Sequence, residues 1–249
     1  MTNFTGRADL HVHTRASDGI ATAREMLDSA KAMGTLDVIA ITDHDRVDAA
    51  LWAYERRDEY PFDIIPGTEV TNHDGHILGL WVTEKIKKNM SYKDTVDAIH
   101  QQGGIAIFAH PFHVEIHDVR AGLWRHRYLR HPELLVDAGF DAIEGFNAAS
   151  ILPGVNTFAT RFARRTGLPI VAGSDAHTIN SINRGVTLFP GHSAGDLRQA
   201  ICEGNIAIDG RKWNLRDVFQ FLRYKQWNTS DDFFPEPEKV TSKAFKSRH

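Results

Sequence analysis

The sequence holds one cysteine, Cys202, in 249 residues. An internal disulfide is therefore excluded, and so is a metal cage built from thiolates. Long apolar runs are also missing; none approaches the ~20 residues needed to span a bilayer. The N-terminal stretch "MTNFTGRADL" lacks the charged-then-apolar pattern of a secretory leader. Charge of one sign is not in excess: the net charge is −3 and the pI is near 6.5. Neither duplex DNA nor an anionic membrane is called for as a bulk electrostatic partner. Together these absences predict a cytoplasmic chain without a membrane partner. Internal repeats and low-complexity blocks are absent too.

Histidine, by contrast, is plentiful, with fourteen copies. Histidines in surface and capping roles would be scattered, so their placement is informative. Short valine- and isoleucine-rich runs bounded by turn residues read as buried strands. They are Asp9–His13, Asp37–His44, Asp63–Val70, His76–Val82, Gly104–His110, Ala142–Asn147 and Pro169–His177. Helical patterns lie between most of them. Thr22–Met33 opens with a capping box, Thr22 and Glu25, and stops at Gly34. Arg46–Arg57, Ser91–Gln102, Pro132–Ala138, Val155–Thr166 and Ala194–Glu203 follow. This alternation predicts an α/β fold, a barrel of mostly parallel strands, over residues 1–210. Residues 211–249 read as an added helix packed on the barrel, then a flexible polar tail. That helix, Trp213–Trp227, carries Leu215, Val218, Phe219 and Leu222 on one side.

The strand ends hold the chemistry. In a parallel barrel, reactive groups gather at the carboxyl ends of the strands. The first strand ends at His11 and His13, two residues apart and so on one face. The second ends with Asp43 and His44, the third at Glu69 and the fifth at His110. The sixth ends at Glu144 and Asn147, the seventh at Asp175 and His177. The fourth strand opens with His76 instead. The link from Glu69 is short and contains Asp74-Gly75, a strong turn signal. A short link cannot make a parallel crossover, so this strand should run antiparallel and bring His76 beside Glu69. Asp9 and Asp43 each stand two residues or one before a histidine, where they are expected to orient ring nitrogens from behind.

These residues carry a resemblance. "DLHVH", the following "SDG", "TDHD", "GTE", "GHILGL", "AHP" and "SDAH" resemble, in order, the motifs of the polymerase and histidinol phosphatase (PHP) family of metal-dependent phosphoesterases. The resemblance implies a distorted barrel of seven strands and seven helices. It implies one metal on His11, His13, Glu69 and Asp175, and a second sharing Glu69 with His76 and His110. A third would take Asp18, His44 and His177. The "SDG" form is similar to the branch acting on nucleotide and related phosphates. Nucleotide phosphatases of the family often carry a long insertion, for which Phe112 to His131 is a short counterpart.

Nitrogen and oxygen ligands suit two or three divalent ions of zinc, manganese or iron. The expected chemistry is hydrolysis of a phosphate monoester of a small phosphorylated substrate, by a hydroxide held between two cations. Glu69, Asp18, Asp175 and His177 are the candidate catalytic groups. Arg184, Arg15 and Asn147 are candidates to bind substrate, arginine because its fork matches phosphate. Arg46 and the loop arginines Arg120, Arg125 and Arg127 are alternatives. Two other readings compete: a 5'-3' exonuclease on short oligonucleotides, and an amide or carbamate hydrolase on the same cluster. "RKWNLRDVFQFLRYKQW" mixes basic and aromatic residues, as a strand-binding surface would. Its regular apolar spacing favours a docked helix, so nucleic acid is not the favoured partner. A non-catalytic module ranks last because no ligand position is lost.

Overall fold

The structure, a computed structural model, describes residues 3–73, 75–112, 128 and 130–227, with side chains of the last helix described through residue 224. Nine strands form one sheet: β1 (Gly6–Asp9), β2 (Val38–Ile41), β3 (Asp63–Asn72), β4 (Gly75–Leu80), β5 (Ile105–Phe108), β6 (Ala142–Asn147), β7 (Ile170–Gly173), β8 (Gly185–Phe189) and β9 (Ala207–Gly210). Their order is β7-β6-β5-β4-β3-β2-β1-β8-β9. The helices are α1 (Ala23–Met33), α2 (Asp48–Glu55), α3 (Tyr92–Gln101), α4 (Glu133–Asp137), α5 (Val155–Thr166), α6 (Ala194–Glu203) and α7 (Leu215–Trp227), with a 3-10 turn at Arg57–Glu59.

The result is an α/β, nearly closed barrel of mostly parallel strands. β1 to β3 are parallel, as are β5 to β7. β4 runs antiparallel to both β3 and β5, as the short link demands. Asp74 itself lies outside the described residues. The ring closes just beyond β1 and β7, where Val12 pairs in parallel with Ala176. His13 N–H donates to the Ala176 carbonyl at 2.9 Å, and Ala176 N–H to that of His11 at 3.1 Å.

Two strands exceed the expected seven. β8 pairs antiparallel with β1, and β9 with β8. Thr187 Oγ1 of β8 accepts from Ala172 N–H of β7 at 2.9 Å, so β8 fills the gap between the two ends of the ring. Its pairing explains why β1 begins at Gly6, three residues before the expected start. β8 follows β7 with no helix between them, and α6 leads from β8 to an antiparallel β9, so neither shows the strand–helix–parallel strand pattern that marks a barrel strand in sequence.

Helix ends follow local chemistry. The Thr22–Glu25 capping box forms at α1, and Gly34 ends it in the left-handed conformation. α6 has a second capping box, Ser193 with Asp196. Three apolar clusters hold the layers. The barrel interior holds Leu10, Val38, Ile65, Leu78, Ile107 and Val171, reached by Leu197 and Ile201 of α6. A second cluster seats α1 and α2 through Met26, Leu27, Ala50 and Ala53. A third seats α3, α4 and α5 through Val96, Ile99, Leu135 and Phe162.

α7 turns a different side to the barrel than its apolar spacing suggests. Leu215, Phe219 and Leu222 are 87%, 68% and 49% exposed, whereas Asp217 is fully buried. Arg184 Nε meets Asp217 Oδ2 at 2.9 Å, and that pair sets the rotation of the helix. The expected tail from residue 228 and the arginines at 120, 125 and 127 lie outside the described residues. Among the described residues, no helix is long and apolar enough to cross a membrane.

Candidate metal centre

Glu69 lies at the middle of a histidine ring. It sits in β3 where the chain after β2 pairs with it: His44 bridges Glu69, and Asp45 N–H donates to the Glu69 carbonyl at 2.9 Å. The Glu69 side chain is 1% exposed. Its Oε2 lies 3.1 Å from His11 Nε2, 3.1 Å from His13 Nε2 and 3.4 Å from His44 Nδ1. Its Oε1 lies 3.2 Å from His76 Nδ1 and 2.9 Å from His110 Nε2. Five imidazoles from four strand ends, two of them from the end of β1, therefore share one carboxylate. The antiparallel β4 brings in His76 by pairing it with Thr71, two residues beyond Glu69.

Two further carboxylates extend the cluster. Asp175 Oδ1 is 3.3 Å from His13 Nε2 and 3.6 Å from His11 Nε2. Asp18 Oδ1 is 2.9 Å from His177 Nε2, 3.7 Å from His13 Nδ1 and 3.8 Å from His44 Nε2. All nine sequence-selected side chains thus converge at one rim. Four groups of three or more have ligand atoms close enough to hold a cation. They are His13 with Asp18, His44 and His177; His11 with Glu69 and His110; His11 with His13 and Asp175; and His44 with Glu69 and His76. His13 and His44 bridge groups that the resemblance keeps apart.

The electrostatics fit cations. For Glu69, Asp175, Asp18 and His13 the opposite charges override the cost of burial. Burial raises Glu69, Asp175 and Asp18, but facing histidines hold all three well below the usual carboxylate range. Burial lowers His13, but bonds to Asp175 and Glu69 lift it to about 10. His44 goes the other way, down to about 4, as its burial outweighs Glu69 and Asp18. The Nε2 atoms of His11 and His13 are buried and face only carboxylate oxygens. Imidazole nitrogens so arranged, beside three ionised carboxylates, are the donor set of a hard or borderline divalent ion once they lose their protons to it. His110 and Asp175 also sit in left-handed backbone, φ 24° and 49°, a strain that clusters at functional sites.

Comparison with known proteins places this arrangement. The sequence model of the PHP domain matches residues 9–140, more than half of the chain, and the model described as PHP-associated matches residues 153–206. The chain belongs to the PHP domain family. An uncharacterised protein of Methanocaldococcus jannaschii is 33% identical over 117 residues, covering 43% of this chain and 68% of that protein. The 5'-3' exoribonuclease Rnm of Salmonella typhimurium is 40% identical over 85 residues, 32% of this chain and 29% of Rnm. Among solved structures, a two-domain protein from Bacteroides vulgatus, described as containing a predicted PHP-like metal-dependent phosphoesterase, shares the fold. Its TM-score is 0.67 at 19% identity, covering 90% of this chain and 72% of that one.

Around the PHP cluster, the supporting residues differ from expectation. Asp9 and Asp43 do not reach ring nitrogens. Asp9 accepts backbone N–H bonds from Ser174 at 3.0 Å and Asn183 at 2.8 Å, so it ties down the segment bearing Asp175 and His177. Asp43 accepts from Thr14 N–H, Thr14 Oγ1 and Ser17 Oγ, so it shapes the loop bearing Asp18. Asn147 has no group left for substrate. Its Nδ2 donates to Glu144 Oε2 and Asp175 Oδ2, both at 3.1 Å, and its Oδ1 accepts from Ser150 N–H. Arg184 is occupied by Asp217 and by the Asn180 carbonyl. Arg46 is likewise paired with Asp48, by two bonds of 3.0 and 2.7 Å. Arg15 bonds the Ile20 carbonyl through one terminal nitrogen, and its Nε has no hydrogen-bond partner. Of the arginines considered for phosphate, Arg15 is the one with a buried donor that lacks a hydrogen-bond partner among the described residues.

The sequence reading also missed an aromatic wall. The Phe221 ring of α7 lies 4.5 Å from that of His177, and Trp213 lies 5.7 Å from it. Trp213 Nε1 donates to the Ser174 carbonyl at 2.9 Å. The last helix therefore borders the cluster on the His177 side. The repeat Trp213, Asp217, Phe221 at four-residue spacing is the signal that marks this face.

Proposed function

We propose that this PHP chain is a metal-dependent hydrolase that cleaves a phosphate ester of a small phosphorylated substrate, a monoester in the first instance. The observation that supports this most is the sharing of the Glu69 carboxylate by five histidines, flanked by Asp18 and Asp175. His11, His13, Glu69 and Asp175 would hold one divalent ion, Glu69, His76 and His110 a second, and Asp18, His44 and His177 a third. Zinc, manganese or iron bound there would supply Lewis-acid charge to the phosphoryl oxygens and acidify a water. Glu69 keeps the cations together, because its two oxygens face different histidine sets. Asp175 and Asp18 would neutralise the remaining charge. Asp18 and His44, each 28% exposed, are members through which substrate would reach the cluster, and Arg15 is the candidate to meet a substrate oxygen. Neither a serine nor a cysteine nucleophile is required.

A second reading, 5'-3' exonuclease action on short oligonucleotides, is favoured by one observation: the 40% identity with the exoribonuclease Rnm. The chain spans 29% of that protein, so its activity does not transfer whole. One experiment separates the readings. The purified chain, supplied in turn with zinc, manganese and iron, is assayed on nucleoside mono- and bisphosphates, sugar phosphates, 5'-phosphorylated oligonucleotides and amide esters. Inorganic phosphate from the small substrates supports the first reading, and mononucleotides from the oligonucleotides support the second. Hydrolysis of the amides alone would sink both.

A further inference from the structure

Glu144 stands in β6 behind the cluster, and its side chain is fully buried. Its Oε1 accepts from His11 Nδ1 at 3.0 Å. Its Oε2 accepts from the His110 backbone N–H at 2.9 Å and from Asn147 Nδ2 at 3.1 Å. Asn147 Nδ2 in turn reaches Asp175 Oδ2. One carboxylate outside the ligand set thus ties together three of its members. The backbone is shaped to admit it. β6 shifts register against β7 between Glu144 and Phe146. Across from it stands Gly173, where a Cβ would come within 2.5 Å of both Glu144 Oε1 and His11 Cβ. A side chain at Gly173 would have to displace the carboxylate, the imidazole, or both.

The donor and acceptor roles follow from the count. A carboxylate only accepts, so His11 Nδ1 carries a hydrogen. In the neutral ring that ligates a cation, Nε2 is then the lone-pair atom, and it lies between Glu69 Oε2 at 3.1 Å and Asp175 Oδ1 at 3.6 Å, where a cation would replace the proton. We propose that Glu144 is a positioning residue that fixes the tautomer and ring orientation of His11 and clamps the strained backbone of His110, so that both present their Nε2 atoms to the cation centre. This rests on the cluster being a cation centre, as proposed above.

Glutamine at this position makes the requirement visible. Glu144 accepts from three donors, and an amide has one oxygen. If the amide oxygen faces His11, its NH2 confronts the His110 N–H and the Asn147 NH2. If it faces those two, the NH2 confronts His11 Nδ1 and forces the hydrogen onto Nε2, toward the cation. The second arrangement relieves two conflicts at the cost of one, so Glu144→Gln selects the wrong tautomer of His11. Carboxylates that support a ligating histidine typically change metal affinity by about 10–100-fold when removed.

The test uses the full chain with zinc as the probe. Calorimetric titration of zinc into the metal-free wild type and Glu144→Gln should show affinity lower by about 10–100-fold in the variant, with the circular dichroism unchanged. Long-range proton–nitrogen NMR of the zinc-loaded wild type should show His11 coordinated through Nε2 with a hydrogen on Nδ1. That spectrum needs no variant, so it decides the matter even if Glu144→Gln does not fold. A wild type that binds zinc with no hydrogen on His11 Nδ1 overturns the proposal and leaves the cation centre standing. Equal zinc affinity in a folded Glu144→Gln does the same. A wild type that binds no zinc, manganese or iron overturns the cation centre and this proposal together.

Discussion

At the scale of single residues, Glu69 is the hinge of the site. Its two oxygens face His11, His13 and His44 on one side and His76 and His110 on the other. Glu69→Gln keeps the shape and removes the charge that balances five imidazoles. Bound cation, measured by elemental analysis, should fall, and phosphoester hydrolysis should drop by at least ~10³-fold, the scale of losing a principal electrostatic group. Full occupancy with unchanged turnover would sink the mechanism. Asn147→Ala should act more gently on the cations, through the lost bonds to Glu144 and Asp175 and from Ser150 N–H. A loss of about 3 kcal/mol in stability is expected from these broken buried bonds, with cation still bound. The nine candidate ligands were legible because strand ends of one polarity can be recognised in sequence. Atom-level partnership was not. Nothing in the sequence distinguishes the Glu144 carboxylate, which holds His11, from Asp9, which holds two backbone amides. Nor does it show that Arg184 Nε pairs with Asp217 of the last helix.

At the scale of elements, the last helix is the informative case. Asn214 and Asp217 form reciprocal bonds, Asp217 N–H to Asn214 Oδ1 and Asn214 N–H to Asp217 Oδ2, which caps the start of α7. The same Asp217 carboxylate receives Arg184 from the segment between β7 and β8. Apolar periodicity alone points to the face with Leu215, Phe219 and Leu222, but that face is exposed. A buried ion pair overrides the apolar stripe because an unpaired buried charge costs more than leaving three apolar side chains wet. Arg184→Ala removes one partner, and breaking a buried pair costs about 3–5 kcal/mol. The helix should undock to return Asp217 to water. Limited proteolysis should then cut near residue 215 while the barrel keeps its cooperative transition. The double replacement Arg184→Met with Asp217→Leu should recover most of the docking, since neither charge is then buried alone. Equal protease resistance in Arg184→Ala and the parent would show that Trp213 and Phe221 hold the helix without the pair.

At the scale of the whole molecule, ring closure and the cation cluster share the same residues. The bridge Val12–Ala176 that closes the barrel lies between His11 and His13 on one side and beside Asp175 and His177 on the other. The antiparallel turn into β4 was legible because a short link leaves no alternative. The β8–β9 extension was not, since β8 follows β7 with no helix between them and α6 leads to an antiparallel β9 instead of a parallel strand. Because closure and ligands coincide, cation binding should stabilise the fold itself. In the cation-free protein the three carboxylates are balanced by protonated imidazoles, and a divalent ion would take over that balance while tying the strand ends together. A cation at ~1,000 times its dissociation constant adds about 4 kcal/mol per site. In a chain of this size each kcal/mol moves the midpoint by roughly 2–4 °C, so chelation should lower the melting temperature by roughly 10 °C. The sign with pH follows from competition. Imidazoles ligate only when neutral at the ligating nitrogen, and His13 in the cation-free protein is raised to about 10, so protons compete with the cation and the chelator-sensitive stabilisation should grow as pH rises from about 6.5 toward about 10. Differential scanning calorimetry at matched ionic strength, with and without chelator, measures it. A melting temperature indifferent to chelator across that range would mean that the cluster holds no cation and that the barrel closes on its hydrogen bonds and apolar core alone.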